Sequence, residues 1–266
     1  MGVYNFFIYF ILPAFALFLI FTNKYYYSAK QSKKMRFNMR EDLFFGNIIA
    51  PIIGLLIILG VYIEILDFQY IGNIRWELLS ILAISVLAFI VGIGLGGHIT
   101  AISIERVVPA ILRKGDFEKI LYFFHWPFGH IVPFVPATLI LYLLVLLDLF
   151  RGKVVEIVQI QIFILTLFGL LLGIIGSGTF VITHVTRVMF YTTLVISISI
   201  FAVLGAESIT LLDHGVAYFF TVIFVTVASA LGVYRYIHHI SGKAHFYIQS
   251  KFKNGDLIKI NLENDS

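Results

Sequence analysis

Histidine is the residue type in this sequence with the clearest capacity for chemistry. The segment FHWPFGHIVPFVPA, residues 124–137, places two histidines, a tryptophan and three prolines within 14 residues. Neutral imidazole binds zinc, iron and haem, and clustered histidines are typical of metal sites. The chain has 8 histidines, and all except His214 fall at the same predicted side of the molecule: His98, His125, His130, His184, His238, His239 and His245.

Four of these histidines form a predicted metal site. His98 follows the glycine-rich run GIGLGG, and His184 stands three residues before Arg187, so both are expected to project inward from their helices. The other two belong to the quoted segment. The sequence therefore predicts ligands for a transition metal or a haem, the cofactor itself being unknown, at His98, His125, His130 and His184.

A second interpretation of the histidines stays open. An imidazole near a membrane face also serves as an amphipathic side chain with a polar tip in the headgroup zone. This interpretation is favoured where the histidines lie in a basic stretch, at His238, His239 and His245. Applied to the other four, it predicts that no metal is bound.

Composition places the chain among integral membrane proteins. Apolar residues make up 60% of the sequence and charged residues 13%, whereas soluble domains contain about 45–50% and about 25%. Cysteine is absent from the sequence, which excludes disulfides, Cys-ligated zinc and iron–sulfur clusters. We expect a multipass protein of the cell membrane whose partners are the lipid bilayer and either further copies of itself or other membrane subunits. Nothing in the composition indicates nucleic acid.

The apolar residues occur in long blocks that predict membrane-spanning helices. About 20 residues at helical rise cross the hydrocarbon core. The predicted fold is therefore all-α, a polytopic bundle of about seven transmembrane helices within residues 1–240. A count of six is the alternative, with the fifth and sixth blocks joined as one long bent helix, because only THVTR separates them. The seven blocks are residues 3–21, 44–66, 78–104, 131–149, 157–185, 188–204 and 216–237.

Basic residues predict the orientation of this bundle. Lysine and arginine near membrane ends favour the cytoplasmic side. Successive loops between the predicted spans lie on opposite sides of the membrane. With the loops and the C-terminal tail assigned in this way, all but three of the 19 basic residues fall on one side. The N-terminus is thus predicted outside and the C-terminus inside. Residues 241–266 form a predicted cytoplasmic tail, in which Asn254-Gly255 between alternating segments predicts a β-hairpin.

The residues around the quoted segment have predicted structural roles. Apolar side chains at helical spacing in GDFEKILYFFHW predict a short amphipathic helix on the inner membrane surface. Pro127 and Gly129 are expected to end that helix and turn the chain. Pro133 and Pro136 are expected in the first turns of the fourth span, where a missing N–H costs least.

Small residues at spacing four predict close helix packing. The pairs are Gly92 with Gly96, Gly169 with Gly173, and Ala228 with Gly232. The centres of the predicted spans carry no charged residue, which argues against a proton pump or a strongly charge-coupled transporter.

The sequence leaves three functions open. The first is a His-ligated metal or haem site on the cytoplasmic side that serves redox or lipid-modifying chemistry. The second is a transporter or channel for a small neutral or lipid-like solute. The third is a non-catalytic subunit of a larger membrane complex. Enzymatic activity stays undecided at this level.

Overall fold

The computed structural model describes residues 8, 11–17, 35–36, 39–40, 44, 48–66, 74–150 and 157–240. Residues 12–17 are helical. Two-residue strands Met35–Arg36 and Met39–Arg40 pair antiparallel, with Met35 opposite Arg40. The longer elements are α1 (Ala50–Leu66), α2 (Ile74–Val107), α3 (Asp116–His125), a π-helical turn (Pro127–Ile131), α4 (Val132–Phe150), α5 (Gln159–Ile182), α6 (Thr186–Glu207) and α7 (Gly215–Ile240).

The chain divides into two units, Met1–Gly232 and Val233–Ser266. Within the second unit the described residues, 233–240, are the last part of α7. The predicted hairpin tail, residues 241–266, lies outside the described residues. All packing described below belongs to the first unit.

Five helical stretches are long and apolar enough to cross a membrane, and they coincide with the last five predicted blocks. The second predicted block contains α1, whose apolar part is shorter, at Pro51–Ile63. The first block lies mostly outside the described residues. The helical, apolar character of the chain agrees with a multipass membrane protein, while the number of spans and their orientation stay predictions. The five stretches are Leu78–Glu105, Asp116–Phe150, Gln159–Ile182, Thr186–Glu207 and Gly215–His238.

The fifth and sixth blocks are two separate helices. α5 ends at Ile182 and α6 begins at Thr186. Between them the Val185 N–H donates to the Phe180 carbonyl at 3.1 Å and the His184 N–H to the Val181 carbonyl at 3.2 Å. These two bonds form a Schellman turn, which ends a helix with a left-handed residue. The described chain therefore does not contain the single bent helix of the six-span alternative.

Helix α7 is the most buried of the five long apolar stretches, and glycines of α5 pack against it. In the most apolar 18-residue segment of α7, 56% of the residues are buried, whereas in the corresponding segment of α2 only 6% are buried. A Cβ added at Gly169 would lie 2.8 Å from Val222, and one at Gly173 would lie 2.6 Å from Thr226. The predicted role of this glycine pair in close packing is confirmed, because the α5 backbone contacts side chains of α7 there and leaves no room for a methyl group.

The predicted glycine pair of α2 is wrong. Among the described residues, nothing lies within 4 Å of a Cβ built at Gly92 or Gly96. The neighbouring glycines make the contacts instead. A Cβ at Gly94 would lie 2.6 Å from Pro133, and one at Gly97 would lie 2.9 Å from Phe128. Helix α2 is thus rotated relative to the expectation, and its Gly94 and Gly97 face receives the start of α4.

Contacts between helices show which ends come together. Gly94 lies against Pro133 and His98 against Gly129, so α2 and the chain entering α4 run antiparallel. At the far end of α4 the buried carboxylate of Asp148 accepts the Ala217 N–H of α7 at 2.9 Å. The ring of Trp126, just before α4, contacts the ring of His184, just before α6. The last part of α2, the start of α4 and the α5–α6 turn therefore meet at one end of the bundle.

Candidate metal centre

Three histidines from different elements converge at this end. His98 lies on α2, His125 is the last residue of α3, and His130 lies in the π-helical turn. One ring nitrogen from each lies within 4.8 Å of the others. The ring centroids of His98 are 4.5 Å from His130 and 5.2 Å from His125, and those of His125 and His130 are 6.2 Å apart. We call His98, His125 and His130 the three-histidine cluster.

The π-helical turn brings His125 and His130 to the same side. In an α-helix residues advance about 100° each, so side chains five positions apart point about 140° away from one another. A π-helical turn bonds residue i to residue i+5 and reduces that angle. Pro127 lacks the N–H that would donate to the Phe123 carbonyl, which interrupts the regular α-helical bonding at this point. The expectation that Pro127 and Gly129 end the helix is therefore corrected, since the chain continues in helical form from α3 into α4.

Glycine allows α2 to approach this turn. A Cβ at Gly129 would lie 2.6 Å from the Phe124 carbonyl oxygen and 2.7 Å from Nδ1 of His98. Such distances are too short for a real Cβ, and the carbonyl is backbone that cannot rotate away. A Cβ at Gly97, beside His98, would lie 2.9 Å from the Phe128 ring. The three-histidine cluster depends on the absence of side chains at these two positions.

Hydrogen bonds indicate which ring nitrogen carries the proton in two of the histidines. Nδ1 of His98 lies 3.0 Å from the carbonyl oxygen of His125. Nδ1 of His125 lies 2.7 Å from Oε1 of Glu105. Carbonyl and carboxylate oxygens only accept, so Nδ1 is the donor in both rings. Each ring therefore keeps an unprotonated Nε2 when it is neutral, and a carboxylate or carbonyl partner on the other nitrogen is what metal-bound histidines have.

Aromatic rings hold His130 in place. Its side chain is 6% exposed. The Phe134 ring stacks on it at 6.1 Å and 10°, and the Trp126 ring lies 5.3 Å away. Within the described residues, no hydrogen bond of the His130 ring is found. Since no hydrogen bond holds either ring nitrogen within the described chain, either one is able to bind an ion.

The fourth predicted ligand lies outside the three-histidine cluster. The side chain of His184 is exposed, and its ring meets the edge of Trp126 at 5.1 Å. His214 is buried just before α7. In the second unit, His238 is exposed near the end of α7. The structure thus brings together three of the four residues predicted as ligands.

Glu105 is a residue of this site that the sequence analysis missed. It lies on α2 seven positions after His98, which is two helical turns and therefore the same face. Its bond to His125 places one carboxylate beside three imidazoles. A search for acidic residues at this spacing from a histidine would have identified it.

The geometry suits a bare metal ion. With metal–nitrogen bonds of about 2.0–2.1 Å, tetrahedral ligand nitrogens are about 3.4 Å apart. The three nitrogens here lie within 4.8 Å of one another, so a tetrahedral ion would require them to approach by up to about 1.4 Å. A haem does not fit between His98 and His130, because ring centroids 4.5 Å apart at 57° leave no room for a flat macrocycle. Three protein ligands leave a fourth position open.

Comparisons of the chain with protein-family models, with curated proteins and with solved structures give no match.

Proposed function

We propose that this chain is a multipass protein of the cell membrane that binds a divalent transition-metal ion through the three-histidine cluster, for metal-assisted modification of a lipid-like substrate. The observation that carries the proposal is that Nδ1 is hydrogen-bonded to an oxygen acceptor in two of the three rings. Nδ1 of His98 donates to a carbonyl and Nδ1 of His125 to Glu105. Rings held in this way present Nε2 to an ion.

The number of ligands supports a chemical role for the ion. Structural zinc sites are commonly closed by four protein ligands, whereas catalytic sites have three and keep one position for water or substrate. A bound zinc ion lowers the pKa of its water to about 7 and polarises carbonyl or phosphoryl oxygens. Glu105 would orient His125 and compensate part of the positive charge.

The surroundings of the cluster support a substrate that comes from the bilayer. His98 and His130 lie within helical stretches of membrane-spanning length. The rings of Phe124 and Phe128 lie 5.2 Å apart and cover Gly97, next to His98. Phe124 is itself exposed, as is Phe123 beside it. An exposed apolar surface beside a polar site suits an amphipathic molecule whose polar group reaches the ion.

Metal analysis of the purified protein tests the proposal. Protein expressed in metal-replete medium and purified in detergent should carry about one zinc or iron atom per chain, measured by elemental analysis. His98→Ala, His125→Ala and His130→Ala should each lose it. His238→Ala, which removes an exposed imidazole elsewhere, should retain it. Absence of stoichiometric metal from the wild type would refute the proposal and leave the transporter and non-catalytic subunit interpretations.

A further inference from the structure

His184 occupies a position at which glycine is the usual residue. It follows the last turn of α5 in the Schellman turn described above, and its φ is 56°. Left-handed backbone strains a residue that has a Cβ, which is why glycine predominates at this position. Histidine is among the residues that tolerate it better, but without the preference that glycine has. The imidazole is thus present despite the local backbone preference.

The exposed ring of His184 stands next to a short row of rings that leads into the bundle. It meets the Trp126 ring at 5.1 Å, and the Trp126 ring lies 5.3 Å from His130. Burial increases along this row, because His184 is exposed, Trp126 partly buried and His130 buried. Trp126 therefore covers the side of the three-histidine cluster that faces His184.

We infer that His184 is the first ligand that an incoming divalent transition-metal ion meets, and that it passes the ion by way of Trp126 to the three-histidine cluster. This inference rests on the proposed function. A hydrated cation that exchanges one water for the exposed imidazole is held beside the cluster before it loses further waters. Swinging of the Trp126 indole then lets His130 replace another water, and the remaining two histidines complete the transfer. Each step is a ligand exchange in which no electron is transferred.

A purely structural role of His184 predicts a different behaviour. If the residue only ends α5, glycine would serve at least as well, and removal of the imidazole would leave the kinetics of metal binding unchanged. His184→Gly is therefore a variant that is expected to fold. His184→Asn is a second variant without the imidazole, because asparagine also adopts left-handed backbone but does not replace imidazole as a ligand.

The experiment measures uptake of Co²⁺ by metal-free protein in detergent, followed by stopped-flow absorbance of the bound ion. Wild type should reach about one Co²⁺ per chain. His184→Gly and His184→Asn should reach the same final absorbance, but about tenfold more slowly, because a ligand tethered beside the site raises the local ion concentration. His238→Asn, which removes another exposed imidazole, should load at the wild-type rate.

Each other outcome overturns a defined part of the reasoning. Equal loading rates in wild type and both His184 variants would overturn the delivery role while leaving the metal site intact. A lower final stoichiometry in the variants would make His184 a permanent ligand instead of a delivery ligand. No Co²⁺ signal in the wild type would overturn the proposed function and this inference together.

Discussion

The substitution Gly129→Ala tests the fold and the metal centre at once. The added Cβ would lie 2.6 Å from the Phe124 carbonyl oxygen and 2.9 Å from Cβ of His98. Relief requires a distortion of the π-helical turn itself, because Phe124 lies in the same helical segment, and a movement of α2 that takes His98 away by several tenths of an ångström. Overpacking of this kind costs about 1–3 kcal/mol, and alanine regains up to about 1 kcal/mol through its higher helix propensity. We expect a net loss of about 1–2 kcal/mol.

Unfolding in detergent micelles, followed by circular dichroism, measures this loss. The matched control is Gly96→Ala on α2, where a Cβ meets no described residue within 4 Å. The control should be neutral or slightly stabilised. Metal content should fall in Gly129→Ala and stay at the wild-type level in Gly96→Ala, because only the first substitution displaces His98. Equal stability and equal metal content of the two variants would refute the close approach of α2 to the turn.

The remaining predictions concern single groups and the membrane. Glu105→Gln should weaken metal binding by about 10–100-fold, as loss of a carboxylate behind a ligand does; unchanged affinity in a competition titration would remove Glu105 from the site. His184→Gly should raise the free energy of unfolding by up to about 1 kcal/mol through relief of left-handed strain, and a loss of stability would contradict this account of the turn. Metal should be released as the pH falls through the acidic range, since protonation of an imidazole competes with the ion; a metal content that is independent of pH in a dialysis series would exclude histidine ligands. In intact cells an impermeant thiol reagent should label Thr210→Cys and spare Lys114→Cys, both at exposed positions, and the reverse pattern would invert the predicted orientation.

Sequence alone predicts the apolar helices well because the signal is coarse. A run of about 20 apolar residues has the length that crosses a membrane, wherever its side chains point. Five such runs are helices of the expected position. The rotation of a helix about its own axis is a finer property that depends on its partners. Helix α2 has glycines at 92, 94, 96 and 97, and the spacing rule selected the pair that faces outward.

The π-helical turn could not be predicted from Pro127 and Gly129. The same two residues are typical of a helix end and of a widened helical turn, and only the partner helix distinguishes the two. Gly129 is required here because His98 of α2 lies against it. The prediction of His130 as a ligand was reached from residue type alone, whereas its approach to His125 depends on the turn that was not predicted.

The arrangement of polar groups in the three-histidine cluster argues for a cation at its centre. Two rings donate from Nδ1 to oxygen acceptors, and the third is buried among rings without a hydrogen bond in the described chain. The structure therefore brings one ring nitrogen from each of three imidazoles to within 4.8 Å of the others. The three rings offer no hydrogen-bond donor to one another when they are neutral and Nδ1 donates elsewhere, and a positive charge between them would supply a partner for each. A proton on one imidazole is the only other positive charge that these side chains themselves supply, and it would leave the remaining lone pairs partly unsatisfied. A metal ion satisfies all three at once, so loss of the ion should lower the free energy of unfolding, and a melting temperature in detergent that is unchanged by a chelator would contradict it.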